Sequence, residues 1–439
     1  MSASSSAPGR QQQRFAAYLN SLARAAGHAD RAVPLESYCT GLLLPGERKS
    51  VEPMAARLAP HDVRRVHQSL HHFVANAPWS DEALLETVRH FVLPVMKRNG
   101  PVTAWIVDDT GFPKKGIHSV GVVRQYCGQV GKQENCRVAV SLSLATEQAS
   151  LPIAWRLYLP EIWAKDRKRR KATGIPKETT FATKPAIALQ QIRKAVEEEV
   201  TTAPLLADAA YGNDSQFREG LSELGLEYVV GVQKSTTVWR AGKAPLPAER
   251  WKGMGRPPTL LRRDKHHQPI SLKQLAESLS AIAWKSISWR EGTKQKLRSR
   301  FAALRVRVAH RDYWRSELPA EEWLLIEWPR QENEPTKYWL ATLPADTQLA
   351  ELVKLAKHRW IIERDYEELK QELGLGHYEG RGWRGFHHHA TLCIAAYGFL
   401  VAERSRFPPS AHVGQLDLRA PEIPPEFRPR GRPRTRRAA

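Results

Sequence analysis

The sequence predicts a mixed α/β fold with a helical N-terminal region and a β-rich insertion. Short runs rich in β-branched residues, followed by alternating helical and strand patterns, occupy residues 101–233. Amphipathic helical spacing dominates residues 13–100, and period-two alternation with frequent tryptophans dominates residues 234–345. With 439 residues, of which 42% are hydrophobic, the chain is long enough for two or three domains with a sizeable core.

The charge balance favours a polyanionic partner. Lysine and arginine number 67 against 46 acidic residues, which gives a net charge of +21. Nucleic acid is favoured over a membrane, because no apolar run reaches about 18 residues, the length that a membrane helix needs. Residues 1–12 lack the apolar core of a signal peptide and are predicted to be a disordered leader. The four cysteines form no Cys-x-x-Cys pair, so we expect reduced, structural thiols and no zinc site.

Residues 13–100 are predicted to form a helical N-terminal domain. Phe15, Leu19 and Leu22 recur at spacings of four and three, and Ser80 begins another predicted helix with Asp81 near its positive end. Basic residues decorate this region, so it could be a solvated helical bundle or a DNA-binding domain. In so basic a chain we favour DNA binding.

The region 101–233 is predicted to contain three strands followed by helix, strand, helix and strand, which is a mixed α/β order. The predicted elements are strands Val102–Val107, Arg137–Leu144 and Leu151–Leu159, helix Pro185–Val200, strand Leu205–Ala207, helix Asp214–Leu224 and strand Glu227–Val232. This order is compatible with a ribonuclease-H-like sheet, in which carboxylates collect at the ends of two adjacent central strands.

The rest of the chain is predicted to return to this core after the insertion. The strands predicted within the insertion, residues 234–345, are Ile282–Trp289, Phe301–Val308, Glu322–Trp328 and Lys337–Thr342. Residues 346–405 complete the core, with one long helix from about 347 to 373 and another helical piece over 377–404. Residues 406–439 are rich in proline and arginine and are predicted to be a basic disordered tail.

Three acidic residues are distinguished by their positions. Asp108 and Asp208 each end a short apolar run, where a carboxylate is costly unless it is paired, hydrogen-bonded or bound to a metal. Glu363 lies in the predicted long helix with two cations and a tyrosine on one face, and it projects within an arc of about 40° together with the two cations. The residues of this face are Arg359, Glu363, Tyr366 and Lys370. The face could be only an ion-paired surface, but the three acids together favour a site for hard divalent cations.

These motifs resemble those of the DDE transposases of bacterial insertion sequences, in the branch with a Tyr-x2-Arg-x3-Glu-x6-Lys signature. The segment Val107-Asp108-Asp109-Thr110 is similar to the first Asp-x-Thr motif, which selects Asp108, and Ala207–Gly212 is similar to the second motif. Arg359, Glu363 and Lys370 match three signature positions, and the tyrosine position is Ala356. Residues 111–116, 124–128 and 377–381 also resemble one subgroup, and the resemblance covers residues 35–404.

The resemblance implies a ribonuclease-H-like core, with the β-rich insertion between the second aspartate and the glutamate. It implies an enzyme that cuts DNA at transposon ends and joins the freed ends to target DNA. Asp108, Asp208 and Glu363 would bind two Mg²⁺ ions, for which Mn²⁺ can substitute. The partner would be double-stranded DNA, bound by a homodimer at the nucleoid in the bacterial cytoplasm. Two alternatives stay open: a non-catalytic or repurposed DNA-binding protein, and a nuclease without strand transfer.

Several basic and aromatic residues are candidates for DNA contact. Arg359 and Lys370 are expected to grip phosphates near the scissile bond, since arginine binds phosphate in a bidentate manner and lysine acts as a point charge. The further candidates are Tyr366, Lys114, Lys115, Arg124, Tyr126, Arg430 and Arg432. The residues from 114 to 126 could equally form a solvated hairpin. Arg430 and Arg432 resemble the core of an AT-hook, although non-specific phosphate binding is favoured for the tail.

The remaining candidates have simpler interpretations. Asp109 is expected to project to the opposite side of the strand from Asp108 and to be structural. Trp284 and Trp289 could stack on a flipped base, but a core position is favoured. The adjacent histidines of residues 387–389 are expected to point in different directions, which disfavours a shared zinc ion.

Overall fold

A computed structural model describes residues 9–291, 296–310 and 312–407. The described chain divides into two compact units. The first unit comprises the residues up to Pro101, Asp109–Ala182 and the residues from Ile362 onward. The second unit comprises Val102–Asp108 and Thr183–Ile361. The predicted leader falls mainly, and the predicted tail almost wholly, outside the described residues.

Five helices precede the first strand, and runs of strands and runs of helices follow one another along the rest of the described chain. The helices are α1 (Arg10–Ala25), α2 (Ala32–Leu43), α3 (Val51–Leu58), α4 (Val63–Ala75), α5 (Asp81–Met96), α6 (Glu161–Lys165), α7 (Arg167–Thr173), α8 (Lys184–Glu197), α9 (Ala209–Gly212), α10 (Ser215–Glu223), α11 (Leu272–Glu277), α12 (Leu349–His358), α13 (Ile361–Gln371) and α14 (Trp383–Arg406). The strands are β1 (Ala104–Pro113), β2 (Val123–Cys127), β3 (Lys132–Ala145), β4 (Ser150–Leu157), β5 (Leu205–Ala207), β6 (Tyr228–Val232), β7 (Thr237–Trp239), β8 (Ile270–Ser271), β9 (Lys285–Glu291), β10 (Lys296–Val308), β11 (Glu321–Trp328) and β12 (Lys337–Ala341).

The first unit is built around α14. This helix is buried along most of its length because apolar and small residues occupy all of its faces, and helices α1, α2, α4 and α5 pack against it. Gly398 allows close contact with α5, since a Cβ atom there would lie 2.8 Å from Val88 Cγ1. Tyr18 of α1 donates a hydrogen bond to the backbone oxygen of Ala395 at 2.8 Å. Strands β2, β3 and β4 add an antiparallel sheet, which β4 joins to α14.

The second unit is built around a mixed sheet with strand order β1-β5-β6-β12-β11-β10-β7-β8, and β9 pairs with β10. Strands β1, β5 and β6 are parallel, whereas the pairs from β6–β12 onward are antiparallel. Every residue of β5 is buried, which explains its continuous apolar sequence, Leu205–Ala207. The mixed α/β class predicted from the sequence is therefore confirmed.

Two local predictions were wrong. The strand predicted to end at Val107 continues through both aspartates to Pro113, because Thr110, Gly111 and Phe112 are also buried and extend the apolar pattern. The single helix predicted over about 347–373 is two helices, α12 and α13, with a turn at Arg359 and Trp360. Helical periodicity passes through this turn unbroken, because neither glycine nor proline marks it.

Candidate active site

Asp108 and Asp208 occupy equivalent positions on neighbouring parallel strands. The register pairs Trp105 with Leu205 and Ile106 with Leu206. Continued by two residues, this register sets Asp108 beside Asp208. Directly paired residues of parallel strands project to the same face of a sheet, so the two carboxylates share one face. The register thus gives the two predicted aspartates, a hundred residues apart in the chain, equivalent positions two residues past the last paired residues of neighbouring strands.

Asp208 directly follows β5 and is the N-cap residue of the short helix α9. Its Oδ1 accepts a hydrogen bond from the backbone nitrogen of Ala210 at 2.9 Å, as an N-cap residue does. Two glycines allow α9 to lie directly on β6: a Cβ at Gly212 would lie 2.0 Å from the oxygen of Gly231, and one at Gly231 would lie 2.9 Å from the nitrogen of Ala209. Close backbone packing therefore fixes where the Asp208 carboxylate stands.

The carboxylate of Asp108 is paired with Arg359. Arg359 Nη1 donates to Asp108 Oδ2 at 2.6 Å, and the two side chains are 27% and 15% exposed. A charge-assisted contact at this distance, largely shielded from water, is stronger than an exposed ion pair. Arg359, which the sequence suggested as a phosphate contact, thus supplies the positive charge next to the first aspartate.

The turn between α12 and α13 interrupts the helix on which Arg359, Glu363 and Lys370 were predicted to share one face. Arg359 is the residue at which α12 ends, whereas Glu363 lies in the first turn of α13. The expectation that Arg359, Glu363 and Lys370 form one continuous helical face is therefore wrong. Glu363 is exposed, and its place in the first turn of α13 is favourable for a negative charge because the helix dipole is positive there.

The donor chemistry of the two aspartates fits a hard divalent cation. Carboxylate oxygens are the ligands that Mg²⁺ and related ions take, and the strand register sets two of them side by side. Within the described ranges, no group of three or more histidine, cysteine, aspartate or glutamate side chains is gathered closely enough to hold a metal ion. The candidate site therefore consists of a pair of carboxylates, one of which also binds Arg359.

Comparison with known proteins identifies the family. A family model described as DDE superfamily endonuclease matches residues 15–296, which is more than half of the chain and includes Asp108 and Asp208. The chain belongs to the DDE superfamily endonucleases. The match ends before Glu363, so the family assignment rests on the region that carries the two aspartates. Endonucleases of this superfamily use divalent metal ions, which agrees with the donor chemistry of the site.

Similarity to one named protein indicates which kind of DDE enzyme the chain resembles. The chain is 33% identical over 169 residues to a protein of Microchaete diplosiphon named "Probable transposase for insertion sequence element IS701". The aligned part is 38% of this chain and spans 41% of the relative's length. The resemblance to DDE transposases of insertion sequences is thereby confirmed.

Lys370 of this DDE endonuclease is bound within the first unit. Its ammonium group donates to the backbone oxygen of Gly111 at 3.0 Å and to Gln129 Oε1 at 3.1 Å, and lies 5.1 Å from the ring centre of Phe112. Burial lowers the pKa of Lys370 to about 8. Lys370 therefore ties α13 to the strand segment that follows the first aspartate motif.

Tyr366 and its neighbour Asp365 are also bound inside the first unit. The hydroxyl groups of Tyr366 and Ser141 lie 2.6 Å apart. Asp365 is buried, and its two oxygens accept hydrogen bonds from Ser150 Oγ at 2.5 Å and Tyr397 Oη at 2.7 Å. Burial raises the pKa of Asp365 to about 6. Sequence reasoning missed Asp365, whose only signal was an acid on the apolar flank of the helix.

Lys114 and Arg137 converge on one backbone oxygen. Lys114 Nζ and Arg137 Nη2 donate to the oxygen of Tyr378 at 2.9 and 3.2 Å. Arg137 is fully buried, and its guanidinium carbon lies 4.3 Å from the ring centre of Phe386. Burial lowers the pKa of Lys114 to about 8 and that of Arg137 to about 9. These contacts join residues 111–116 to residues 377–381, two of the segments that carried the family resemblance. Sequence reasoning missed Arg137, although an arginine at the start of an apolar strand was a signal.

Lys115, Arg124 and Tyr126 are exposed, and Tyr126 keeps 64% of its surface open to solvent. Arg124 and Tyr126 lie in β2, which pairs with β3 as a hairpin. Lys115 lies before this hairpin, in the segment between β1 and β2. The three exposed side chains are free of the internal contacts that hold Lys114, so their surface is accessible to a large partner.

The histidines and tryptophans that were candidates in the sequence contact other groups of the protein. His387, His388 and His389 bond to different partners, including the nitrogen of Leu157, the oxygen of Val74 and the hydroxyl of Tyr38, so the three rings do point in different directions. Trp284 packs against Trp328, with ring centres 5.1 Å apart, and Trp289 packs against Phe301 at 5.7 Å.

The cysteines of the described residues are free thiols, and all are buried. Arg430 and Arg432 lie outside the described residues. No described helix is long and apolar enough to cross a bilayer.

Proposed function

We propose that this protein is a DNA transposase that cleaves DNA at the ends of an insertion sequence and joins the freed ends to target DNA. The observation that carries the proposal is the side-by-side register of Asp108 and Asp208 in a chain of the DDE superfamily. The parallel order β1-β5-β6 supports a ribonuclease-H-like core. The similarity to a probable transposase supports transposition over other endonuclease reactions.

In this proposal, Asp108 and Asp208 hold one divalent cation, and Glu363 completes a second site. A bound Mg²⁺ ion, or Mn²⁺ in its place, would polarise the phosphodiester and favour ionisation of the attacking group, which is water in cleavage and the 3′-hydroxyl group in joining. The protein's own contribution is rigidity: β1, β5 and the capped start of α9 hold the two aspartates before DNA arrives. The same carboxylates serve cleavage and joining, because both steps exchange one phosphodiester oxygen for another.

The DNA-binding candidates divide into two groups. Lys115, Arg124 and Tyr126 are exposed, and we assign them direct contact with DNA. Lys114, Lys370 and Tyr366 are bound to protein groups, and we assign them the task of fixing the backbone beneath that surface. Residues 13–100 and the β-rich residues 234–345 are proposed to add DNA contacts in a homodimer on double-stranded DNA at the bacterial nucleoid.

The central test replaces each acid with alanine and measures DNA cleavage and joining with Mg²⁺ or Mn²⁺. Asp108→Ala, Asp208→Ala and Glu363→Ala are each expected to reduce cleavage at least about a hundredfold, a loss of about 2.7 kcal/mol of transition-state stabilisation. Gel shifts with transposon-end DNA are expected to change little, since affinity comes mainly from lysine and arginine contacts.

Two matched controls separate chemistry from stability. Asp214 caps α10 as Asp208 caps α9, so Asp214→Ala removes a helix cap without removing the proposed ligand. Glu367 is exposed one turn after Glu363 on α13, so Glu367→Ala removes an acid from the same helix. Near-normal cleavage by Glu363→Ala, or equal losses in Asp214→Ala and Asp208→Ala, would contradict the assignment. Cleaved DNA without joined product would identify a nuclease without strand transfer.

A further inference from the structure

Four consecutive residues at the turn between α12 and α13 each contact a different part of the second unit. These contacts join Lys357 to Glu327, His358 to Thr103, Arg359 to Asp108 and Trp360 to Arg290. Thr103 directly precedes β1 and Asp108 lies within it, whereas Glu327 and Arg290 belong to the β-rich strands β11 and β9. The turn thus connects the β-rich strands with the first aspartate.

Lys357 is held in an aromatic cage. Its ammonium group lies 4.6, 5.3 and 5.6 Å from the ring centres of Trp289, Trp339 and Phe301, and it forms an ion pair with Glu327. The side chains of Lys357 and Glu327 are only 13% and 6% exposed. Cation–π attraction and the buried carboxylate replace the water that the ammonium group gives up. The position of Lys357 is therefore fixed by several strands at once.

Trp360 provides a second anchor on the other side of Arg359. The guanidinium carbon of Arg290 lies 3.7 Å from the ring centre of Trp360, which is a close stacking distance. Consecutive Cα atoms are about 3.8 Å apart, so a residue between two anchored neighbours has little freedom to move its backbone. Arg359 stands between Lys357 and Trp360, and its side chain reaches Asp108 from this constrained position.

We infer that Lys357 and Trp360 are positioning residues that hold Arg359 on Asp108 and thereby set the cation affinity of that carboxylate. The inference rests on the proposed function, because it takes Asp108 as a cation ligand. Arg359 bonds to Oδ2 of Asp108, so a divalent cation at this carboxylate competes with the guanidinium group for negative charge. A firmly held Arg359 weakens cation binding in DNA-free protein, and a loosened Arg359 strengthens it.

The test measures Mn²⁺ affinity of the DNA-free protein by electron paramagnetic resonance, with melting temperature recorded for each variant. Arg359→Ala removes the competitor and is expected to tighten Mn²⁺ binding about tenfold, which corresponds to about 1.4 kcal/mol. Trp360→Ala and the double variant Lys357→Ala/Glu327→Gln are expected to tighten it at least about threefold. The double variant avoids leaving a lone buried carboxylate at Glu327.

Two control variants show whether a change in Mn²⁺ affinity comes from loosening Arg359. Lys357→Arg keeps the positive charge beside Glu327 and can stack on the same rings, so its Mn²⁺ affinity should lie closer to wild type than that of the double variant. Lys354→Met alters an exposed lysine of the same helix and should leave the affinity unchanged. A merely structural role of the cage predicts weaker binding together with a lower melting temperature, never tighter binding.

Failure of the inference can be distinguished from failure of the proposed function. If Arg359→Ala tightens binding while Trp360→Ala and the double variant bind as wild type or more weakly, the positioning role is wrong and the cation site stands. If Arg359→Ala/Asp108→Ala binds Mn²⁺ as tightly as Arg359→Ala, the cation does not bind at Asp108, and both proposals are overturned.

Discussion

At the residue scale, the charged groups near the candidate site are distinguished by their partners. Arg359 neutralises Asp108, whereas Lys370 donates to the oxygen of Gly111 and Asp365 accepts from two hydroxyl groups. Each arrangement satisfies a group that would be costly to bury alone. Spacing along a helix showed that these residues were charged neighbours, but it did not show which distant group each one binds.

Asp365 is expected to make stability depend on pH. Its pKa is raised from 3.8 to about 6 by burial, so between these values the folded protein binds a proton that the unfolded chain has lost. Its contribution to stability is therefore fully present below about pH 4 and is lost as the pH rises to about 6, by about 3 kcal/mol. Asp365→Asn should remove this loss, so its stability relative to wild type should be more favourable at pH 7.5 than at pH 4.5.

The measurement is urea unfolding of both proteins at the two pH values. Comparing variant with wild type at each pH cancels the contributions of other titrating groups. Glu367→Gln, an exposed change on the same helix, should show the same difference from wild type at both values. A constant difference for Asp365→Asn would mean that the Asp365 carboxyl titrates alike in the folded and unfolded chain.

At the element scale, a short connection fixes the position of Asp208 in the candidate site. Helix α9 follows β5 without a loop, and Asp208 is both the strand's successor and the helix cap. This compact turn is possible because glycines stand at the contact between α9 and β6. Gly212 is therefore needed for the close contact between α9 and β6, in addition to being part of the motif Asp208-Ala-Ala-Tyr-Gly212.

Gly212→Ala is expected to destabilise the protein by about 2 kcal/mol or more, because an added Cβ would lie 2.0 Å from the oxygen of Gly231. Denaturant unfolding checks the stability, and DNA cleavage should fall as well, since the shift displaces Asp208. Gly376→Ala is the matched control, because no atom lies within 4 Å of the added Cβ. Similar unfolding midpoints for the two variants would show that the close approach relaxes at little cost.

At the scale of the whole molecule, the net charge of +21 favours DNA over other partners. Part of this charge lies in the arginine-rich residues 428–437, beyond the described chain. The last described helix, α14, ends at Arg406, and Phe407 lies under the guanidinium group of Arg14 at 5.2 Å. A truncation after Phe407 therefore keeps all described residues of the first unit.

Truncation after Phe407 is expected to preserve the melting temperature and to weaken DNA binding. For every phosphate group that the tail would otherwise neutralise, the slope of log affinity against log salt should become shallower by about 0.9. Affinities over a salt series, with A·T-rich and G·C-rich duplexes, test this expectation. Equal slopes for the full-length and truncated proteins would exclude DNA binding by the tail. A weakening of equal size on both duplexes would favour phosphate binding over minor-groove recognition by Arg430 and Arg432.

The sequence by itself determined the family and the mixed α/β class, and it singled out the two aspartates as candidates, because these follow from local signals. The apolar run Leu205–Ala207 indicates a buried strand, and the residue that follows such a run lies at the end of the strand. Only the tertiary structure decided that Arg359 binds Asp108, that Lys357 occupies an aromatic cage and that α12 ends at Arg359. Those features depend on groups far apart in the chain that meet only after folding. The apolar periodicity carries no information about them, because the same repeat occurs in a continuous helix and in one that is interrupted by a turn.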